Sequence, residues 1–319
     1  MSKIQSEILI LGFFPFCLVT FLFCQLFYAN LYSISKIEFP DFSPIKFQTK
    51  RAISSICTVF KKEREYIEEW LDYHFSLGID KIVMFDNNED DFDDEVLERI
   101  KKNYQNVVLI DKRNQPYYQA QFFTSYYKNI SRNEWVLFID IDEFLTFNNS
   151  KINIHSLIND AIQNNCGQVL INWLHFGNNG HLKRTNGTVI ERFPIPIQPL
   201  DFKRKGLGHS ENCVYKTFVR GGADGKMEPH FFDNKKIKTC DTTFRKIPLK
   251  LFEKPLLSYA YLRHYCTKSE EEYINFKRAK RVPGKPDDYM APGAAAIHAS
   301  WSYYNSFNEY YPNVPHRGI

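Results

Sequence analysis

The chain of 319 residues is 44% apolar and 16% aromatic, which is enough to bury a large core and argues against general disorder. Its formal net charge of +4 is too small to indicate nucleic-acid binding by itself, although it suits an anionic small molecule or a membrane surface. The seven cysteines show no C-x-x-C spacing, which argues against a zinc site, and one or two disulfides are expected only in an oxidising compartment.

Residues 1–29 are predicted to form an N-terminal transmembrane anchor. The run from Ile8 to Tyr28 has no charged side chain, and a helix of that length spans about 31 Å, enough to cross the hydrocarbon core of a bilayer. A cleaved signal peptide is the alternative, but the run is long for one and no small-residue cleavage site clearly follows it. Residues 30–51 lack a sustained period, which is typical of a stem.

Strand and helix patterns alternate in the first part of the domain, which is predicted over residues 52–282. A helix is expected at 62–78, because its apolar positions recur with helical spacing and Gly78 is a natural stop. Such alternation predicts a parallel α/β sheet with helices on both faces. The other strand and helix patterns in this part lie at 52–60, 80–91, 93–104, 107–111, 117–130 and 134–142.

The pattern is less regular beyond residue 150. A helix is predicted at 152–165 and a strand at 167–177, and Ser269 and Glu272 have the spacing of a capping box at the start of another helix. The segment 283–319 is rich in Pro, Gly, Asn and Tyr and is predicted to be an irregular tail.

The stretch EWVLFIDIDEFL, residues 134–145, leads a hydrophobic strand into a cluster of acids. In an extended chain Asp140 and Asp142 would point the same way, because they lie two residues apart. Paired carboxylates repel each other unless a cation lies between them, and hard oxygen ligands suit Mg²⁺ or Mn²⁺. Ligands of open parallel sheets bind at the carboxyl ends of strands, so the stretch predicts a metal site. The alternative is an acidic turn that caps the next helix.

An ordered series of motifs extends this pattern over residues 52–282. It runs from CTVFKKEREYIEEWLDYHFSLGIDKIVMFDNNEDD through EWVLFIDIDEFL to NWLHFGNNGH, VIERF, YKTFVR, PHFF and RHYCTKSEEEYINFKRAKR. The series resembles the GT-A-type glycosyltransferases of family 92 and the related family 2-like group. The resemblance implies a single α/β domain of the GT-A type, Rossmann-like, with a mostly parallel sheet and helices on both faces.

The resemblance also implies a metal site. Asp140 and Asp142 match the D-x-D pair, which would hold Mn²⁺ (or Mg²⁺) against the diphosphate of a donor. His264, in the motif LRHY, matches a late histidine that many GT-A enzymes use as a third metal ligand. His230, in PHFF, is the alternative ligand, and a satisfied core histidine is the other interpretation of His264.

The donor nucleotide is implied to lie at the carboxyl ends of the first two strands. The loop that follows the first strand matches the segment that cradles the nucleotide, but Lys62 stands where the family usually has asparagine. The residues of this donor site are Thr58, Lys62, Glu63, Asp86, Asn87, Gln121 and Lys268, with Lys216 and Arg220 as alternatives to Lys268 for neutralising the leaving diphosphate.

An inverting transferase needs a base for the acceptor hydroxyl, and a carboxylate is the usual choice. Glu191 is favoured because its motif VIERF matches the family, and Asp201 and Glu211 are the alternatives. NWLHFGNNGH is expected to shape the acceptor site, where Trp173 offers an apolar face for a sugar ring and His175 lies beside it. The alternative interpretations are that Trp173 is a core residue without a role in binding and that Glu191 is a surface acid.

The predicted function is metal-dependent transfer of a hexose, with galactose a fair guess, from a UDP-linked sugar to a glycan acceptor. Two other functions are possible from the same sequence features. One is a metal-dependent hydrolase or phosphotransferase that uses the same acids, and the other is a non-catalytic glycan-binding protein on a transferase scaffold. The departure at Lys62 keeps the last alternative open.

The predicted location is a membrane crossed once by the N-terminal helix. A Golgi enzyme of type II would place the domain in the lumen, whereas an inner-membrane enzyme would keep it in the cytosol. The basic residues that follow the span favour the cytosolic arrangement under the positive-inside rule. They are Lys36, Lys46, Lys50 and Arg51.

Overall fold

The computed structural model describes residues 51–89, 94–116, 119–197, 211–249, 254–273 and 275. The predicted anchor, nearly all of the predicted stem and the predicted tail lie outside these ranges. Within them, no helix combines the length and apolar character needed to cross a bilayer.

The first half of the domain alternates strand and helix as predicted. Four strands lie side by side in the order β3-β2-β1-β4, and all three pairings between them are parallel. Strand β1 lies between β2, which follows it in the sequence, and β4. The strand order therefore reverses at β1, and open parallel sheets bind ligands at such a point. The elements are β1 (Ile53–Phe60), α1 (Arg64–Ser76), β2 (Lys81–Asp86), α2 (Asp94–Asn103), β3 (Val107–Asp111), α3 (Gln119–Tyr127) and β4 (Glu134–Phe138).

The second half adds antiparallel pairings to the same sheet. Its order continues β4-β7-β6-β11-β5, with β7 antiparallel to β4 and β6, and β11 parallel to β6 but antiparallel to β5. Strand β10 also pairs with β6, and β8 pairs with β9 in a separate two-stranded sheet. The elements are β5 (Glu143–Phe147), α4 (Ile154–Gln163), β6 (Gln168–His175), α5 (Val189–Arg192), a 3-10 turn (Glu211–Cys213), β7 (Tyr215–Arg220), β8 (Lys226–Met227), β9 (Phe232–Asp233), β10 (Thr239–Cys240), β11 (Ala260–His264) and α6 (Glu270–Glu272).

Two apolar clusters cover the two faces of this mixed, mostly parallel sheet. Successive side chains of a strand point to opposite faces, and Ile56 packs with helices α1, α2 and α4 whereas Cys57 packs with α3. Ile82 and Val83 on β2 divide in the same way. The prediction of an α/β sheet with helices on both faces is therefore confirmed.

Helix α1 joins the sheet through hydrogen bonds as well as through its buried face. Trp70 Nε1–H donates to the carbonyl of Glu143 at 2.8 Å, and the backbone N–H of Leu145 donates to His74 Nε2 at 3.3 Å. His74 Nδ1–H then donates to the carbonyl of Trp70 at 2.8 Å. Burial lowers the pKa of His74 to about 3, so the ring is neutral. These bonds fix the start of β5 against α1.

A disulfide between Cys166 and Cys240 joins the start of β6 to β10, across 74 residues of sequence. A disulfide is expected only for a domain in an oxidising compartment. The other cysteines among the described residues, Cys57, Cys213 and Cys266, are buried.

Candidate functional site

The acids that follow β4 lie in a tight turn. Strand β4 ends at Phe138, and the N–H of Glu143 donates to the carbonyl of Asp140 at 3.1 Å. The N–H of Asp140 in turn donates to Glu143 Oε2 at 2.9 Å. Asp140 and Asp142 therefore do not lie in an extended strand, as the sequence analysis assumed, because the chain turns between them.

Asp140 is held by a buried lysine and an amide. Its Oδ2 accepts from Lys216 Nζ at 2.7 Å, and its Oδ1 accepts from Gln119 Nε2 at 2.6 Å. Lys216 Nζ also lies 3.7 Å from Glu143 Oε1, and the lysine side chain is 1% exposed. Burial disfavours the charged amine, but Asp140 and Glu143 outweigh it and raise the pKa of Lys216. A positive charge is therefore held beside the turn.

The sheet register brings a second group together beside the turn. His175 on β6, His264 on β11 and Glu143 on β5 are partners across three neighbouring strands. Asp142 Oδ1 lies 3.8 Å from His264 Nε2. One ligating atom from each of Asp142, Glu143 and His264 lies within 4.8 Å of the others, and all three side chains are buried. We call these three residues the acid–histidine group.

The acid–histidine group has the residue types that hold a divalent cation, because carboxylates with one imidazole suit Mn²⁺. Ligands on opposite sides of an octahedral ion lie about 4.2 Å apart when the bonds are near 2.1 Å, so the three ligating atoms, which lie within 4.8 Å of one another, are near the spacing that such an ion needs. Glu143 Oε1 is buried and accepts no hydrogen bond from the described residues. Burial raises the pKa of Glu143 well above its usual range, and Lys216 opposes that rise. A cation would satisfy the buried oxygen and favour the charged carboxylate.

The two histidine candidates occupy different positions. His264 belongs to the acid–histidine group, whereas His230 donates Nδ1–H to the carbonyl of Tyr215 at 3.0 Å. Burial and the charge of Lys216 lower the pKa of His230. Asp140, the first acid of the D-x-D pair, is likewise not part of the group. The structure therefore joins Asp142 to Glu143 rather than to Asp140.

The residues predicted to bind the nucleotide gather at the ends of β1 and β2, where Phe60 pairs with Asp86. Asp86 accepts from the backbone N–H and the side-chain amide of Asn88, and burial raises the pKa of its carboxyl. Asn87 donates its amide to two carbonyls of the loop after β3. Its Oδ1 and the hydroxyl of Thr58 are buried and have no hydrogen-bond partner among the described residues. These two groups therefore keep an unused capacity for hydrogen bonding within the described part of the chain.

Lys62 and Glu63 connect β1 to α1. Lys62 has a φ of 56°, a left-handed conformation that few residues other than glycine and asparagine adopt. Its backbone N–H donates to Asn88 Oδ1 at 2.6 Å, which ties this loop to the end of β2. Its amine lies 3.7 Å from Glu89. Glu63 is buried and its Oε2 accepts from the N–H of Lys61.

The structure brings Gln119 to the acids, whereas Gln121 was predicted to lie in the donor site. Residues two apart on a helix lie about 200° apart around its axis, so they face opposite sides. Gln121 is exposed, while Gln119 contacts Asp140. The sequence signal that could have identified Gln119 is its position at the start of α3, one turn before the buried Phe122 and Phe123.

The predicted cations are separated in the fold. Lys268 is buried, and its amine lies 4.4 Å from the centre of the Tyr66 ring and donates to the carbonyl of Tyr265. Arg220 is exposed at the far end of β7 from Lys216 and donates to the carbonyl of Arg132. Of these candidates, Lys216 is the one that contacts the acids.

The predicted base has a local structural role. Thr188 and Glu191 form a capping box at the start of α5, with the Thr188 N–H and hydroxyl both donating to Glu191 Oε2 at 2.9 Å. These hydrogen bonds lower the pKa of Glu191, which is exposed. Of the alternatives, Glu211 is buried in the 3-10 turn before β7, and Asp201 lies outside the described residues. Glu191 as the base stays a prediction, and its contacts do not favour it.

Trp173 is surrounded by histidines. Its ring centre lies 4.3 Å from that of His264 and 5.4 Å from those of His175 and His230. Its Nε1–H is buried without a hydrogen-bond partner among the described residues. Trp173 is half-buried, so it packs against the acid–histidine group and leaves only part of its ring for a ligand.

Comparison with known proteins finds one family that part of this chain resembles. Residues 50–194 match the family model of Glycosyltransferase family 92. A family 92 protein of Oryza sativa subsp. japonica is 30% identical over 128 residues, 40% of this chain and 22% of that protein. One of Ricinus communis is 32% identical over 92 residues, 28% of this chain and 16% of that protein. The chain thus spans about a fifth of these curated relatives.

Solved structures show only partial likeness. A mannosyltransferase from Pyrobaculum calidifontis, solved with GDP-Man and Mn²⁺, has a TM-score of 0.31 at 14% identity over 39% of this chain and 36% of that one. Residues 1–349 of S. aureus TarS give 0.33 at 14% identity over 53% and 47%. At these scores the likenesses carry no conclusion about this chain. The family match confirms the predicted resemblance to family 92 over residues 50–194.

Proposed function

We propose that this chain is a metal-dependent glycosyltransferase, which moves a hexose from a nucleotide-diphosphate sugar to a hydroxyl of a glycan acceptor. The observation that carries the proposal is the acid–histidine group, whose Asp142 and Glu143 lie within the family match. A UDP-linked donor, with galactose as the first sugar to test, comes from the family resemblance.

Each part of the site has a proposed role. Asp142, Glu143 and His264 would hold Mn²⁺ or Mg²⁺, which when bound supplies positive charge against the donor diphosphate and the departing nucleotide. Lys216 keeps a fixed positive charge beside the same turn and, with Gln119, holds Asp140 in place.

The donor nucleotide is proposed to bind at the ends of β1 and β2. The Thr58 hydroxyl and Asn87 Oδ1, which have no hydrogen-bond partner among the described residues, would offer hydrogen-bonding groups to its base and ribose. The proposed donor contacts also include Glu63, Asp86 and the Lys62 loop. Gln121 and Lys268 remain proposals from the resemblance alone, because their observed contacts point elsewhere.

The disulfide bears on the proposed location. Disulfides persist in oxidising compartments and are rare in the cytosol, so the Cys166–Cys240 bridge favours a domain that faces a lumen. We therefore propose a single-pass membrane protein anchored by residues 1–29, with a lumenal domain as in a Golgi enzyme. Protection of the domain from protease in sealed vesicles supports this arrangement, and cleavage without detergent contradicts it.

The test of the proposed function is an assay of the full chain with Mn²⁺ and a panel of nucleotide sugars, with and without a glycan acceptor mixture. We expect release of the nucleoside diphosphate that depends on the acceptor. Release at the same rate without acceptor would indicate a hydrolase instead. Glycan binding without any release would indicate a binding protein on a transferase scaffold.

Glu191→Gln separates the two roles of Glu191. Glutamine can replace glutamate in a capping box but cannot act as a base. Because Glu191 is exposed and its carboxylate is bonded to Thr188, we expect the variant to keep kcat within about twofold and the same melting temperature. A fall in kcat of about 100-fold or more at unchanged melting temperature would identify Glu191 as the base.

A further inference from the structure

A row of hydrogen bonds leads from the 3-10 turn before β7 to the acid–histidine group. Asn212 Oδ1 accepts from the backbone N–H of His175 at 2.9 Å and lies 2.8 Å from His175 Nδ1. His175 Nε2 lies 3.1 Å from His264 Nδ1. Asn212, His175 and His264 are all buried, at 0%, 1% and 8% exposure. We call these three residues the Asn–His–His row.

The direction of each hydrogen bond in the row follows from its first member. A backbone N–H can only donate, so the Asn212 atom that contacts the His175 N–H must be the amide oxygen. The same oxygen can only accept from His175 Nδ1, which therefore carries a proton. In a neutral His175 ring, Nε2 then carries a lone pair.

The same rule extends to the second histidine. Because His175 Nε2 is an acceptor, His264 must donate through Nδ1–H across their 3.1 Å contact. In a neutral His264 ring, Nε2 then carries the lone pair, and this nitrogen is the atom that lies 3.8 Å from Asp142 Oδ1. Two electron-pair donors at that distance can both bind one cation.

We infer that Asn212 and His175 are positioning residues that hold His264 in the tautomer whose Nε2 is presented to a divalent cation. Histidine ligands generally donate their other ring N–H to a partner that fixes the ring, and replacing such a partner weakens metal binding. Here the partner is a second histidine, which Asn212 orients in turn. The inference rests on the proposed metal-dependent function for its purpose, but the tautomers themselves do not depend on it.

The fold explains why the row is available. The parallel register of β6 and β11 sets His175 opposite His264, and the side-chain amide of Asn172 donates to the carbonyls of Asn212 and Cys213 in the 3-10 turn. Asn212, His175 and His264 come from three separate segments, so no local sequence pattern predicts that they are hydrogen-bonded to one another.

The first test reads the tautomers directly. The full chain, free of metal and labelled with ¹⁵N in histidine only, is measured by two-bond ¹⁵N–¹H NMR, with His175→Gln and His264→Gln used for assignment. We expect both His175 and His264 to carry their proton on Nδ1. A proton on Nε2 of either ring in the neutral form overturns the inference. The two variants serve only to assign the signals, so they need not be active.

The second test measures Mn²⁺ affinity by calorimetry. Asn212→Leu removes the acceptor and is expected to weaken Mn²⁺ binding about 10- to 100-fold. Asn212→Asp keeps the acceptor, so it is expected to bind Mn²⁺ at least as tightly as the wild type. Asn153→Leu is the control, because it removes the helix cap that accepts from the Ser156 N–H and lies outside the Asn–His–His row.

The outcomes separate this inference from the proposed function. Wild-type affinity in Asn212→Leu, or equal losses in Asn212→Asp and Asn212→Leu, overturns the positioning role. A loss in Asn153→Leu equal to that in Asn212→Leu also overturns it, because general destabilisation would then explain both. A wild-type chain that binds no Mn²⁺ contradicts the metal-dependent function itself, whatever the tautomers are.

Discussion

Asp142→Asn is expected to reduce acceptor-dependent release of nucleoside diphosphate by a factor of about 10²–10³. The substitution keeps the shape of the side chain but removes one negative charge from the buried acid–histidine group. Carboxylate ligands hold a divalent cation through their charge, so the variant should lose Mn²⁺ affinity together with activity. The assay is the donor assay of the full chain, run with increasing Mn²⁺.

The matched control for Asp142→Asn is Asp160→Asn. Asp160 lies on α4, and its carboxylate accepts from the Tyr259 hydroxyl at 2.6 Å. It is not a member of the acid–histidine group, so we expect activity within about twofold of the wild type. Wild-type turnover in Asp142→Asn at low Mn²⁺ would contradict the assignment of Asp142 as a metal ligand.

Glu272→Gln is expected to lower the free energy of unfolding by about 3–5 kcal/mol at neutral pH. Arg192 and Glu272 form a buried two-point ion pair at 2.8 and 2.9 Å, with side chains 3% and 1% exposed. Glutamine can still accept from the Ser269 cap but leaves the Arg192 charge buried without its counter-charge. The pair joins α5, within the family match, to α6 beyond it. Urea titration measures the loss.

The same pair gives the domain a pH dependence. Burial alone would raise the pKa of Glu272, but hydrogen bonds from Arg192 and Ser269 lower it to about 2 from an ordinary 4.5. The stabilisation is therefore fully present above pH 4.5 and is lost as pH falls toward 2. The difference corresponds to about 3 kcal/mol, and it should be missing from the Glu272→Gln titration.

A surface pair provides the control for Glu272→Gln. Arg99 and Glu68 form an ion pair at 3.1 Å, but their side chains are 49% and 36% exposed. Exposed pairs contribute little to stability, so Glu68→Gln is expected to change the free energy of unfolding by less than about 1 kcal/mol. Equal losses in the two variants would show that burial of the Arg192–Glu272 pair contributes nothing.

The first half of the fold was predictable because its signals are local. The spacing of Tyr66, Ile67, Trp70 and Leu71 predicts α1, and those side chains are buried in the structure. The capping box of Ser269 and Glu272 was also predicted and is present. Parallel pairing follows from strand–helix alternation, which is visible in the sequence without knowledge of distant contacts.

The antiparallel half was not predictable in the same way, and the site depends on it. Pairings such as β11 with β5 join segments more than a hundred residues apart, and no local pattern sets their register. That register places His264 beside Glu143, which the sequence analysis did not assign to metal binding. The disulfide between Cys166 and Cys240 depends on the same long-range arrangement.

The acidic motif indicated a cation site, but the sequence did not determine which of its acids form that site. Asp140 and Asp142 were predicted as a pair because an extended strand would align them. In the turn, Asp140 instead accepts hydrogen bonds from Lys216 and Gln119, and Asp142 lies beside His264. Residue types therefore indicated a cation site, but only the turn and the sheet register determine which acids form it.

The most direct test of the central claim is the position of bound Mn²⁺. Crystals of the full chain grown with Mn²⁺ and UDP would be measured at the manganese absorption edge. We expect one anomalous peak among Asp142, Glu143 and His264, with the Lys216 amine still on Asp140. A peak between Asp140 and Asp142 that excludes His264, or no peak at this turn, would contradict it.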